Sequence, residues 1–194
     1  MENFKTYLVS KAGIAADQIE PLTRDILVQH FPKGQYVLRP GEICTYAFFI
    51  EKGLMRLFSI DEYGKEHIIQ FAPETWIISD RASTFFNEPS EFFIEAIEDT
   101  TAALLDKNFI QKASATSLPF RLFNDRALQN HIRHMQQRIN LLLGASAEVR
   151  YLEFVSLYPD VTLRAPQWMI ASYLGITPES LSRVRKELAR RNFK

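Results

Sequence analysis

Cysteine is almost missing from this chain: Cys44 is the single one in 194 residues. No intrachain disulfide can form, and thiolates alone cannot hold a zinc ion or an iron–sulfur cluster. Histidine is scarce too, at four residues, of which only His131 and His134 lie close in sequence. Their spacing suits a metal, yet no carboxylate accompanies them, and they read as a solvated pair beside a helix seam; no metal is expected. Haem ligation by His67 or Cys44 finds no supporting pattern. No apolar run approaches the roughly 20 residues of a spanning helix, and MENFKTYLVSK lacks the apolar stretch of a signal peptide. The expectation is a cytoplasmic protein with no membrane partner.

Net charge is missing as well, with 23 basic and 23 acidic residues, but its distribution is uneven. From Ala145 onward, Arg150, Arg164, Arg183, Arg185, Lys186, Arg190, Arg191 and Lys194 outnumber Glu148, Glu153, Asp160, Glu179 and Glu187. The basic excess falls on Thr177 to Lys194, six basic residues to two acidic, and overlaps the stretch QWMIASYLGITPESLSRVRK, from Gln167 to Lys186. Ile170, Leu174, Ile176, Leu181 and Val184 recur there at helical intervals, and Gly175 stands at a bend. This is the pattern of a helix-turn-helix, whose second helix enters a DNA major groove. Thr177 suits the N-cap of that helix and Pro178 its first position. Glu179, Ser182, Arg183 and Lys186 then share one face, opposite Leu181, Val184 and Leu188. Arg183 and Glu179 are the expected base readers, since guanidinium pairs with guanine O6 and N7 and carboxylate accepts from cytosine N4. Thr177, Ser180, Arg185 and Lys186 are expected at phosphates.

Upstream, residues 2–30 suggest an N-terminal helical cap, with Ile14, Ile19, Leu22, Ile26 and Leu27 near helical spacing. From Phe31 to Asp106 the texture changes to short strands (QYVL, YAFFI, LMRLFSI, HIIQF, FFIEAI, TAALL) separated by glycine and proline turns. Pro40-Gly41 suits a type II turn. So many short strands predict an antiparallel, jelly-roll-like β-roll enclosing a small pocket. A long connection, Ala72 to Glu91, interrupts the strands and is the expected effector site, with Trp76, Asp80, Arg81, Ser90 and Glu91 as its candidates; it can equally be a lid that closes the barrel end. After a short helix capped by Asp106 and a polar spacer, SATSLP, a helix from about Phe120 to Leu143 carries Leu128, Ile132, Met135, Ile139 and Leu142 at intervals of four and three. That heptad pattern predicts a homodimer seam, with packing on the roll as the alternative. Gly144 ends the helix and leads to a hinge.

This order of parts, with KGQYVLRPGE and FFIEKGLMRLF in the roll and Glu179, Ser182 and Arg183 in a Glu-x-x-Ser-Arg sequence, resembles the Crp/Fnr family of bacterial transcription regulators. The resemblance implies an α+β fold: a cyclic-nucleotide-binding-like β-roll (1–115), a dimerisation helix and hinge (116–144), and a winged-helix-type helix-turn-helix domain (145–194). RRNFK leaves the wing short or missing. It also implies double-stranded DNA, a second copy of the chain and RNA polymerase as partners, with a small-molecule effector at the roll. Cyclic-AMP-binding members carry a Gly-Glu-Leu cassette followed by Arg-Ser-Ala. Here the two parts fall at Ile77 to Asp80 and at Ser90-Glu91-Phe92, so the phosphate loses its arginine and meets a carboxylate. Cyclic AMP is therefore not the expected effector, no cofactor is expected, and a small apolar ligand or none is left open. An enzyme on such a roll needs a His/Glu metal set on the strands, which the sequence lacks. A sensor whose C-terminal helices contact a protein is the alternative to a DNA-binding regulator.

Overall fold

Over residues 1–192, which the computed structural model describes, eight strands form two four-stranded antiparallel sheets. One is ordered β1 (Leu27–Phe31), β8 (Thr100–Asp106), β3 (Tyr46–Lys52), β6 (Ile77–Ile78). The other runs β2 (Tyr36–Leu38), β7 (Phe93–Ala96), β4 (Met55–Ile60), β5 (Glu66–Ala72). Helices α1 (Glu2–Ala12) and α2 (Ala16–Thr23) precede the roll, and α3 (Arg81–Phe86) interrupts it. Behind it come α4 (Lys107–Thr116), α5 (Leu118–Gly144), α6 (Ala147–Leu157), α7 (Val161–Arg164), α8 (Gln167–Leu174) and α9 (Pro178–Asn192). No helix is long and apolar enough to cross a membrane among the described residues.

The central strands are apolar on both faces because both of their faces are covered. Along β3, Phe48 and Ile50 point into the roll with Leu38, Met55, Leu57 and Ile94. Ala47 and Phe49 point the other way, against Phe4, Leu8 and Phe120 of α1 and α5. Side chains alternate with a period of two, so a strand between two apolar layers loses its polar alternation. The second sheet repeats this arrangement with a different cover. Leu54, Phe58, Ile68 and Phe71 on its outer side pack against Phe154, Tyr158, Val161, Met169, Tyr173 and Leu174 of the C-terminal helices.

Three expectations about elements need correction. Residues 27–30, expected helical, belong to β1, which pairs with β8 from Leu27 opposite Leu104 to Phe31 opposite Thr100. The helical spacing stops at Ile26, and from Leu27 onward backbone pairing along the free side of β8 decides the conformation. Ile77-Ile78, inside the expected long connection, pairs with Phe48 and Phe49 as β6. The spacer SATSLP is mostly helical, because Ala, Ser and Thr do not stop a helix. Only Ser117 breaks it, and its hydroxyl then caps α5 by accepting from the Phe120 N–H at 3.3 Å. Gly144 does end α5, but without a left-handed turn: Ala145 leaves in extended conformation, and Ser146 caps α6 through the Val149 N–H.

One glycine is fixed by contact. Gly53, between β3 and β4, has φ +100°, and a Cβ there would meet Thr100 Oγ1 at 2.5 Å and the Asp99 carbonyl oxygen at 2.7 Å. Gly53→Ala combines backbone strain with overlap against backbone atoms and should cost about 3 kcal/mol in a urea unfolding curve. An unchanged midpoint contradicts this packing.

Candidate nucleic-acid interface

The turn between α8 and α9 is set by local chemistry. Gly175 takes φ +65° and ψ 36°, and its N–H returns to the Ser172 carbonyl, closing α8 with a left-handed cap. Thr177 then starts α9 by accepting the Ser180 N–H on its hydroxyl at 3.2 Å, while its carbonyl accepts from Leu181 at 3.0 Å. Its own backbone N–H, then the Thr177 hydroxyl, hold the Glu179 carboxyl below its ordinary range, so the carboxylate is ionised at neutral pH.

Leu181 is buried at 1% exposure and anchors α9. Val184 and Leu188 are half-buried beside it. Thr177, Glu179, Ser182, Arg183, Arg185 and Lys186 are exposed, and Ser180 is half-buried. The site therefore presents two arginines and a lysine against one carboxylate on its outer side. Arg185 is not free: its guanidinium donates to the Gln167 amide oxygen at the start of α8. Arg191 pairs with Glu148 at 2.6 Å and ties the far end of α9 to α6.

What holds this unit in place was not legible in the sequence. β5 is an edge strand, and its unpaired backbone groups are met by the C-terminal helices. The Ser172 hydroxyl accepts the Ile68 N–H at 3.0 Å and donates to the Glu66 carbonyl at 2.7 Å. Arg138 of α5 donates to the carbonyls of Ile69, Ile68 and Tyr173 at 2.5, 2.9 and 3.0 Å. It also lies 4.0 Å from the centre of the Tyr173 ring. Arg164 pairs with Glu74 at 2.8 Å and with Glu98 at 2.7 Å across the same boundary. The Glu98 carboxylate first, then Glu74, hold its guanidinium above the ordinary value. Only an arginine inside a heptad, next to Met135 and Ile139, hinted at any of this.

The five effector candidates do not converge. Trp76 and Arg81 line a cavity of about 390 Å³ between the roll and α5, with Gln70, Ser79, Leu128 and His131. Trp76 also packs on Tyr158, ring centres 4.9 Å apart. Asp80 instead caps α3, accepting from the N–H groups of Ala82 and Ser83 at 3.0 and 3.3 Å. Ser90 is turned into its own loop: its hydroxyl accepts the Phe92 N–H at 3.0 Å, and its carbonyl accepts from Gly41 at 2.8 Å. Glu91 is exposed. Cys44 is buried, its sulfur against the Tyr46 carbonyl, and His67 pairs with Asp61.

The same parts occur together in known proteins. A family model described as a cyclic nucleotide-binding domain matches residues 28–117. Electron transport regulator A of Shewanella oneidensis is 25% identical over 182 residues, 87% of this chain and 72% of that protein. The nitrogen fixation regulation protein FixK of Rhizobium meliloti is 23% identical over 173 residues, 89% and 80% of the two chains. The solved structure of FixK2 from Bradyrhizobium japonicum superposes with a TM-score of 0.71 at 21% identity, covering 86% of each chain. The chain carries the domain of that family model and shares the fold of Crp/Fnr-type regulators. Its relatives are transcriptional regulators rather than enzymes, and the present chain is a transcription regulator of that type.

Against this background, the histidine pair needs a correction. His131 and His134 are half-buried, not solvated: His131 faces the roll cavity, and the His134 ring stands edge-on to Trp76 at 6.5 Å. Burial lowers both pKa values, with Arg81 and His134 adding to it at His131, and Arg138 at His134. Folded-state values below the unfolded 6.5 mean that the unfolded chain binds more protons in acid. The two rings therefore cost no stability above about pH 7 and cost increasingly more as pH falls below 6.5 through their folded values. Replacing both by Gln should flatten the melting temperature between pH 7 and pH 5 relative to the parent. Parallel curves contradict the burial.

Proposed function

We propose that this regulator acts as a homodimer on near-palindromic duplex DNA in the cytoplasm, reading sequence with Arg183 and Glu179 and positioning itself through phosphate contacts from Thr177, Ser180, Ser182, Arg185 and Lys186. The observation that carries the reading is α9 itself: a capped helix with one buried anchor, Leu181, and a basic outer face left open. Pairing is supported by α5. Ile132, Ile139 and Leu142 are exposed at 43, 56 and 39%, and Leu128 and Met135 are half-buried along the same stripe. A second copy of α5 would remove that stripe from water and set two recognition helices about 34 Å apart, one helical turn of DNA.

The effector, in this reading, occupies the roll–helix cavity beside Trp76 and Arg81. Cyclic AMP is a poor match for it. The cassette position is taken by Asp80, whose carboxylate is already a helix cap, and Glu91 adds charge of the wrong sign. The roll interior is filled by Leu38, Phe48, Met55, Leu57 and Ile94. An effector bound against α5 would bias the seam and the hinge at Ala145-Ser146, shifting the population competent for DNA. RNA polymerase is the further partner that such a regulator requires.

Fluorescence anisotropy on a selected site and on random duplex tests the readers. Arg183→Ala should weaken the selected site by about 1–3 kcal/mol and relax its preference, whereas Lys186→Ala should weaken both duplexes alike and lower the salt slope by about one. Equal losses on both duplexes for Arg183→Ala remove it from base reading. Affinity that ignores salt favours a protein partner for these helices.

A further inference from the structure

The hinge encloses a second cavity. A cleft of about 290 Å³ is lined by residues of α5, α6 and the end of α8. Its apolar wall is Leu141, Leu142, Phe154 and Leu157, and its polar wall includes Arg138 and Arg150. These two arginines serve adjacent residues: Arg138 donates to the Tyr173 carbonyl at 3.0 Å, and Arg150 to the Leu174 carbonyl at 2.7 Å. Neither forms an ion pair among the described residues. Glu153 lines the cleft without reaching them. Their Nε atoms are buried without an acceptor, and burial lowers the Arg138 pKa.

A guanidinium Nε buried without an acceptor is costly, and here two half-buried guanidiniums in that state share one cleft with only neutral carbonyls as acceptors. We propose that this cleft binds a small organic anion, a carboxylate on an apolar body about the size of benzoate. The carboxylate would accept from the Arg138 and Arg150 guanidiniums, and the body would lie on Leu141, Leu142 and Leu157. A charged acceptor makes roughly twice as strong a hydrogen bond as a neutral one. The ligand thus competes with the Tyr173 and Leu174 carbonyls for both guanidiniums and loosens the end of α8 that carries the recognition helix. Only this last consequence rests on the DNA-binding reading; binding itself does not.

Methyl NMR on the full chain, titrated with benzoate and separately with its neutral isostere benzamide, tests the site without DNA. Benzoate should shift the Leu141, Leu142, Leu157 and Leu174 methyls saturably, and benzamide should bind at least tenfold more weakly. Arg150→Gln should weaken benzoate at least tenfold, and Glu153→Gln, which removes the acid of the cleft and leaves both arginines in place, should tighten it severalfold. The proposal is overturned by the absence of a saturable shift at these methyls, the result also expected if a second copy closes the cleft. Equal affinity for acid and amide overturns it as well, as does indifference to Glu153→Gln.

Discussion

The free edge of β5 is the constraint on which the rest of this molecule depends. A strand edge presents N–H and C=O groups that must be hydrogen-bonded once water is excluded. Here they are covered by a serine of the helix-turn-helix and an arginine of the long helix, Ser172 and Arg138. Beneath them, Phe58 and Phe71 of the roll lie in one apolar core with Phe154, Tyr158 and Tyr173 of the C-terminal helices. The helix-turn-helix unit is therefore packed on the roll as part of a shared core. Any change that moves it has to break polar contacts and expose aromatic surface together.

That arrangement makes Arg138 a junction. It starts on the helix proposed to pair two copies, reaches the edge of the roll and ends on the last turn of α8. A shift of α5 would reach α8 through this side chain and its three acceptors. Arg164, held by Glu74 and Glu98, fixes the same boundary from the other side of the C-terminal unit. The two arginine contacts differ in character. Arg164 forms partly exposed ion pairs that salt screens, whereas Arg138 is half-buried and bonded to neutral carbonyls.

What could be read in the sequence was whatever is encoded locally. Thr177-Pro178, Gly175 and Asp106 announce helix ends through capping chemistry that involves only a few neighbouring residues, and the folded chain uses Thr177, Gly175 and Asp106 in those roles. Six of the strands carried their own apolar runs. β1 and β6 did not, because their pairing is decided by the free sides of β8 and β3, residues distant in the chain. The effector candidates failed to assemble for a related reason. Asp80 and Ser90 lie in a stretch whose spacing matches a ligand cassette, but their polar atoms are consumed by local caps and turns that the spacing does not reveal. Arg138 was visible only as a charge within a heptad, and its acceptors are backbone carbonyls, which leave no trace in a sequence.

The most direct test of a paired, DNA-reading α9 is to recover and sequence the duplexes that the full chain retains from a random library. Two inverted half-sites with centres about one helical turn, roughly 10 base pairs, apart would match two copies joined along α5. No enrichment, or enrichment of a single unpaired half-site, would contradict the account.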